Sequence, residues 1–321
     1  MRGGDSLPGK RYLNRRAFLH GSGLILAGAS APGVLASMAM AGEEGDGPSP
    51  VLRLGLLTDV HHADRDPAGT RHYRDSLLKV REAVGALNDA GADRLIHLGD
   101  LIDAGNTRED EIVHLKTIEA ELAQFQGERH YVLGNHCVAG LTKEEFFEHT
   151  AARSPHISFD HGPFHFVTLD ACFREDGVAY GRNNFDWTDA NIPPGQLDWL
   201  SDDLERSDKP TLVFVHQRLD GEGQPQHTIR NAADVRAVLG QSGKVLAVVA
   251  GHGHQNAYHL VDDIHYCVLR AVVEGPGAEN GAYATMDLFA DTSIRLTGFR
   301  EQESYAAWRP RTVQRANGYA W

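Results

Sequence analysis

The sequence predicts an α/β protein built on parallel strands buried on both faces. Three observations point there. Short, nearly continuous apolar runs recur at 51–57, 94–98, 130–133, 211–215 and 244–250, and a strand with no polar face is one covered on both sides. Amphipathic stretches separate the first three runs, so strand and helix alternate, as right-handed crossovers between parallel strands require. Each run also ends at or beside Asp, Asn or His, which places polar groups together at the strand mouths.

In order along the chain, residues 51–57 form the first strand and lead into Thr58-Asp59-Val60-His61. Thr70 is expected as the N-cap of a helix in which Tyr73, Leu77, Val80, Val84 and Leu87 recur at spacings of three and four, running to about Ala90. The strand at 94–98 delivers Asp100. A second helix carries Ile112, Leu115, Ile118, Leu122 and Phe125, and the strand at 130–133 delivers Asn135 and His136. The pattern then changes. Residues 157–159 and 164–169 alternate around the turn residues Asp160-His161-Gly162-Pro163, as an antiparallel hairpin does. Residues 170–194 show little periodicity, and so long a loop inside a compact domain is usually either functional or disordered. Leu197, Leu200 and Leu204 mark another helix, the run at 211–215 ends at His216, and the run at 244–250 ends at Gly251-His252-Gly253-His254. Short alternating strands are expected near 258–261, 264–269, 282–288 and 294–299, and the last twenty residues give no signal.

The chain of 321 residues has a formal charge of −13. A surface so acidic repels phosphate backbones and argues against binding a nucleic-acid polymer. Cys137, Cys172 and Cys267 cannot all pair within one chain and match no zinc spacing, which makes them buried thiols. At the amino terminus, Asn14-Arg15-Arg16-Ala17-Phe18-Leu19 precedes an uncharged segment rich in Ala and Gly. This resembles a twin-arginine export signal, implying contact with the twin-arginine export machinery and a periplasmic or secreted protein. The apolar segment is too diluted by Gly, Ser and Pro for a stable membrane span of about 20 residues. The expected organisation is a signal over 1–41, a polar linker over 42–50, a catalytic domain over 51–300 and a tail over 301–321.

The strand-end residues supply what a pair of divalent cations needs: three or four protein ligands each, and a shared group. Asp59, His61 and His254 suit one ion, Asn135, His216 and His252 the other, and Asp100, with two oxygens at a strand mouth, suits both. Mixed imidazole and oxygen donors favour Mn, Fe, Zn or Co over calcium or magnesium. His62 and His227 are expected near the pocket and His97, His165, His259 and His265 in structural roles. Asp103 is placed to orient a ligand, and His72, Tyr73 and Arg74 are candidates for the rim.

Together Asp59-Val60-His61, Gly99-Asp100, Gly134-Asn135-His136, the strand-terminal His216 and Gly251-His252-Gly253-His254 resemble the calcineurin-like metallophosphoesterases. The resemblance spans about residues 51–270. It implies a four-layer αββα sandwich of two mixed sheets with a dinuclear site at the strand mouths, and a small phosphorylated substrate. It also implies that His136 is a catalytic group that touches the phosphoryl group or protonates the leaving oxygen, not a ligand. Arg71-His72-Tyr73-Arg74-Asp75-Ser76-Leu77 and Gly253-His254-Gln255-Asn256-Ala257-Tyr258 look like the manganese-dependent ADP-ribose/CDP-alcohol diphosphatase branch, which puts manganese first among the ions and phosphodiesters or phosphoanhydrides of nucleotide-like compounds first among substrates. The alternatives are a phosphomonoesterase and, further off, a non-catalytic metal-binding protein or an oxidase-type diiron protein. Phe173, Tyr180, Phe185 and Trp187, interleaved with Arg174, Arg182, Asn183 and Asn184, are expected to stack a base and hold a second phosphate or sugar.

Overall fold

The computed structural model describes residues 48–308. The segment expected as an export signal, most of the linker and most of the 301–321 tail lie outside the described residues. Strands β1 (Leu52–Leu57), β2 (Arg94–His97) and β3 (Glu128–Tyr131) pair in parallel. On the other side of β1, β10 (Ala282–Leu288), β11 (Ile294–Arg300) and β12 (Tyr305–Trp308) add antiparallel strands, so the first sheet runs β12-β11-β10-β1-β2-β3. The second sheet runs β4-β5-β6-β7-β9-β8, with β5 (Phe164–Thr168), β6 (Thr211–Phe214), β7 (Val245–Ala250) and β9 (Ile264–Val268) parallel. Its edges are the antiparallel β4 (Ile157–His161) and β8 (Ala257–Val261). Both sheets are mixed, as the resemblance implies.

Side-chain alternation along the strands builds the layers. Leu52, Leu54 and Leu56 of β1, Ile96 of β2, Phe164 and Phe166 of β5 and Leu212 and Phe214 of β6 fill the space between the sheets. Their neighbours face outward. Leu57 and Leu95 meet Val80, Val84 and Leu87 of α1 (Ser76–Asp89) and Leu115, Ile118 and Leu122 of α2 (Arg108–Leu122). Phe146 of α3 (Lys143–Glu148) joins that same core. Val213 and Val248 meet Leu200 and Leu204 of α4 (Pro194–Arg206) and Val235 and Leu239 of α5 (Ala232–Ser242). Each fully buried aliphatic side chain here contributes roughly 1.5–3 kcal/mol, and the result is helices, sheet, sheet, helices.

Four local expectations change. The first helix begins at Ser76, not at Thr70, because residues 68–72 are captured by other backbone: Ala68 and Arg71 exchange two hydrogen bonds of 3.1 Å, and His72 N–H donates to Val273 O at 2.9 Å. Tyr73 is buried ahead of the helix. Helix α3 goes unread in the sequence although it starts with a capping box, Thr142 and Glu145 bonding reciprocally. Helix α5 is also missed, with Val235 and Leu239 one turn apart and Gly243 ending it in the left-handed conformation. Strand β12 adds to β11 beyond residue 300. The three cysteines are free and buried, and no helix among the described residues is long and apolar enough to cross a membrane.

Candidate metal centre

All seven candidate ligands and His136 converge where β1, β2, β3, β6 and β7 end. The backbone at these ends is unusual. Asp59 (φ 52°), His61 (φ 45°), Asp100 (φ 55°), His252 (φ 65°) and His254 (φ 56°) are in the left-handed region, which costs a residue with a side chain roughly 1–2 kcal/mol. The surrounding chain imposes it. Asp59 N–H donates to Gly99 O (3.0 Å), His61 N–H to Asp100 O (2.9 Å), Val273 N–H to Asp59 O (3.1 Å) and Gly251 N–H to His216 O (2.9 Å). Strain concentrated at a few polar residues and held by loop-to-loop bonds is how folds preorganise a site. Two glycines let the loops close. A Cβ on Gly134 would overlap the Asp100 carboxylate, and one on Gly251 would overlap Thr58 and Asp59.

Asp100 lies between two clusters. Its Oδ2 is 3.5 Å from His61 Nε2 on one side and 3.2 Å from His216 Nε2 on the other. In the first cluster His61 Nε2 and His254 Nε2 are 3.1 Å apart, with Asp59 Oδ1 at 3.6 and 3.5 Å from them. In the second, His252 Nδ1 lies 3.2 Å from His216 Nε2. Lone pairs aimed at one another at such distances fit a cation between them. The buried Asp59 Oδ1 and Asn135 Oδ1 have no hydrogen-bond partner, an arrangement that is costly unless something else satisfies them. The donor set of imidazole, carboxylate and amide therefore fits two divalent ions, and Asp59, His61 and His254 on one side and Asp100, His216 and His252 on the other can each grip one. His61, Asp100 and His136 also come within ligating distance of one another.

Three of the four candidate histidine ligands have the far ring nitrogen pinned, as ligating histidines require, whereas His252 Nε2 has no hydrogen-bond partner. His61 Nδ1 is 3.1 Å from Asp103 Oδ2, His216 Nδ1 2.7 Å from Leu98 O, and His254 Nδ1 2.6 Å from Glu274 Oε1. Asp103 thus takes the orienting place expected of it. Glu274 was not anticipated, though Ala271-Val272-Val273 ending in Glu274-Gly275 repeats the apolar-run-then-acid pattern of the other ligands. Charge follows the geometry. Burial disfavours a proton on His216 and His254, yet Asp100 and Asp59 carry the first up to about 9, and Asp59 with Glu274 carries the second there too. Glu274 is held down at about 2, against its burial, by His254. To hold a cation here, His216 and His254 would each have to give up a ring proton, so metal affinity would fall as the pH is lowered.

The candidate ligands open on a cavity of about 180 Å³ lined by Arg71, Asp100, Asn135, His136, Trp187, His227, His252 and His254. His227 is at the pocket as expected; His62 instead packs against His114, ring centres 5.7 Å apart. The rim expectation is corrected. Tyr73 is core, Arg74 pairs with Asp64 and Asp66 at the surface, and Arg71 is the residue of that segment that reaches the cavity. The expected stacking loop also contracts. Tyr180 is buried with its hydroxyl donating to Asp186 O, Phe185 packs on the helix-side core, and Arg182 pairs with Glu145. Trp187, 41% exposed, is the aromatic residue of the loop that faces the cavity, its ring 5.5 Å from His227 and 6.1 Å from His252.

A two-sheet sandwich carrying this cluster at its strand mouths is the architecture of a metal-dependent phosphoesterase, and residues 52–256 match the calcineurin-like phosphoesterase family. The chain belongs to that family and is a phosphoester hydrolase. Among curated proteins it is similar to the manganese-dependent ADP-ribose/CDP-alcohol diphosphatase of Arabidopsis thaliana, 24% identical over 304 residues that cover 79% of this chain and 96% of the plant protein. The protein of the same name from Danio rerio is 26% identical over 309 residues, covering 76% and 94%. The crystal structure of a dimetal phosphatase from Danio rerio superposes with a TM-score of 0.71 over 80% of this chain and 98% of that one, at 24% identity.

Proposed function

We propose that Asp59, His61 and His254 hold one divalent ion and Asn135, His216 and His252 a second, with Asp100 shared, that the ions are manganese, and that the substrates are phosphodiesters or phosphoanhydrides of nucleotide size. The observation that carries the reading is Asp100 Oδ2 poised between His61 Nε2 and His216 Nε2, at 3.5 and 3.2 Å. Such an ion pair, when bound, stabilises charge at phosphorus and acidifies water. The protein's own part is to fix the ligands through Asp103, Glu274 and Leu98 O, to place His136 against the cavity, and to receive the rest of the substrate at Arg71, Trp187 and His227. Manganese and a two-part substrate draw support from the names of the curated relatives. In this reading the cavity of about 180 Å³ takes the reacting phosphate, and the nucleoside extends past Trp187 at its lining.

The test is a manganese-supplemented panel of bis-p-nitrophenyl phosphate, ADP-ribose, CDP-choline, a cyclic nucleotide and p-nitrophenyl phosphate, compared by kcat/KM. Diesters or anhydrides are expected to lead. A monoester favoured by more than tenfold would make the protein a phosphomonoesterase instead.

We also propose export by the twin-arginine route to the periplasm or beyond, on the strength of Arg15-Arg16 and the uncharged segment after them. The Arg15→Lys, Arg16→Lys pair is expected to trap the precursor in the cytoplasm, because a receptor reads the paired arginines and charge alone does not serve. Fractionation with an antibody to the mature domain checks it, and normal export of the double variant would refute the route.

A further inference from the structure

Helix α1 carries two fully buried polar side chains three positions apart on one face, Ser76 and Lys79. Neither is a candidate ligand, and both reach toward the metal centre. The Ser76 hydroxyl donates to Val60 O at 2.6 Å, between Asp59 and His61. The Lys79 ammonium donates to Val272 O at 2.9 Å, Glu274 O at 2.8 Å and Gly275 O at 2.7 Å. A lysine has three N–H donors and no acceptor, so these carbonyls account for all of them. Burial pushes Lys79 down to about 8, opposed by Asp75 and Glu274, which leaves it an ammonium at neutral pH. An aliphatic side chain of similar length would fill the same space with no charge to desolvate.

The segment over 272–275 is gripped from two directions. Val272 N–H donates to Thr58 O and Val273 N–H to Asp59 O, both at 3.1 Å, while the carbonyls of Val272, Glu274 and Gly275 turn to Lys79. Just beyond, Gly277 N–H donates at 2.8 Å to Oδ2 of Asp75, the residue ahead of the helix. Glu274, carried on this segment, holds His254 Nδ1 at 2.6 Å. Asp59 and His254 are therefore both bonded to one stretch of chain. None of these bonds reaches Asn135, His216 or His252.

We propose that Lys79 is a positioning residue for one of the two metal ions and not the other: it fixes the backbone from which Glu274 orients His254, and so tightens the ion held by Asp59, His61 and His254. The inference rests on the proposed two-ion site. Lys79 touches neither a ligand nor the cavity, and its effect passes through Glu274. Partners of a ligand's far nitrogen typically contribute 10- to 100-fold in metal affinity. A carboxylate on a loose backbone has to give up conformational freedom each time it holds its histidine; three bonds to a buried ammonium remove that freedom in advance.

Equilibrium dialysis of the manganese-loaded full chain against graded free manganese, read by elemental analysis, resolves the two ions without turnover, and His254→Ala and His252→Ala show which step belongs to which ion. Lys79→Met, close in length and without the charge, is expected to weaken the ion on the His254 side by about 10- to 100-fold and the other by less than about threefold. Lys79→Gln keeps an N–H pair for the carbonyls, is expected to fall between, and carries the test should Lys79→Met fold poorly. Because Lys79 acts through Glu274, Lys79→Met combined with Glu274→Gln is expected to lose no more than Glu274→Gln alone. Equal weakening of both ions, weakening of neither, or losses that add in the double variant overturn the proposal. A second measurement needs no metal. In the metal-free full chain the proton between His254 Nδ1 and Glu274 Oε1 is expected to give a slowly exchanging downfield NMR signal that vanishes in Glu274→Gln and is lost or broadened in Lys79→Met. A wild type that holds fewer than two ions while Lys79→Met still loses that signal would refute the two-ion site and leave the Lys79 role standing; a signal unchanged in Lys79→Met overturns that role.

Discussion

Asp100→Asn is expected to lower kcat/KM by about 10³- to 10⁴-fold and to leave the protein with fewer than two metal ions. The carboxylate faces both clusters, with Oδ2 3.5 Å from His61 Nε2 and 3.2 Å from His216 Nε2. In the proposed site, losing its charge would remove a shared anionic ligand, an effect of several kcal/mol on charge stabilisation at a metal site, and each 1.36 kcal/mol is a tenfold change in rate. The substitution is nearly isosteric. The Asn side-chain oxygen can still accept from His136 N–H, which reaches Asp100 Oδ1 at 2.8 Å, so the strand end keeps its shape. Elemental analysis after gel filtration, alongside circular dichroism, separates loss of metal from loss of fold. Two ions retained with activity within tenfold of wild type would sink the bridging assignment.

The site was more legible than its supports. Every ligand candidate follows an apolar run, and a run such as 244–250 carries its own evidence: continuous burial fixes the strand, and the strand fixes where the next polar residue emerges. Thr58-Asp59-Val60-His61 and Gly251-His252-Gly253-His254 could be placed for that reason. What the sequence does not display is which loop ends touch. Glu274 reaches His254 only because Val272 and Val273 bond back to Thr58 and Asp59, a contact between residues more than two hundred positions apart. Arg71 reaches the cavity through the same cross-link, which also overrides the helical spacing that begins at Tyr73. The five left-handed ligand residues were invisible for a related reason. No Gly or Asn marks those positions, and tertiary hydrogen bonds impose the conformation. In the 170–194 loop, composition misled. Tyr180 and Phe185 read as a stacking surface, but the fold spends them on packing, and of the aromatic residues there Trp187 remains at the cavity. Helix α3, by contrast, is readable: Thr142 and Glu145 form a capping box in plain sequence, obscured by the six-residue length of the helix, too short to show a periodic apolar face.

His136→Ala is expected to lower kcat by about 10²- to 10⁴-fold, the worth of one positioned proton donor, with both metal ions retained. The side chain lines the cavity, and its backbone N–H is tethered to Asp100, so the imidazole is carried on the same loop as the shared ligand. Burial pushes His136 down to about 4. The sign matters for its role. Above pH 4 the ring is neutral in the substrate-free site, so it offers one N–H to the phosphoryl or leaving oxygen and adds no fixed charge. A His136 that had to be protonated beforehand would lose activity tenfold for each pH unit above about 4; a neutral donor gives a kcat that shows no such decline between pH 5 and 7. A wild-type profile without that decline, a large loss in His136→Ala and partial recovery in His136→Gln, which restores an N–H donor, together assign the neutral-donor role. Loss of a metal ion from His136→Ala would instead place His136 among the ligands, beside His61 and Asp100, whose ligating atoms lie within 4.8 Å of its own.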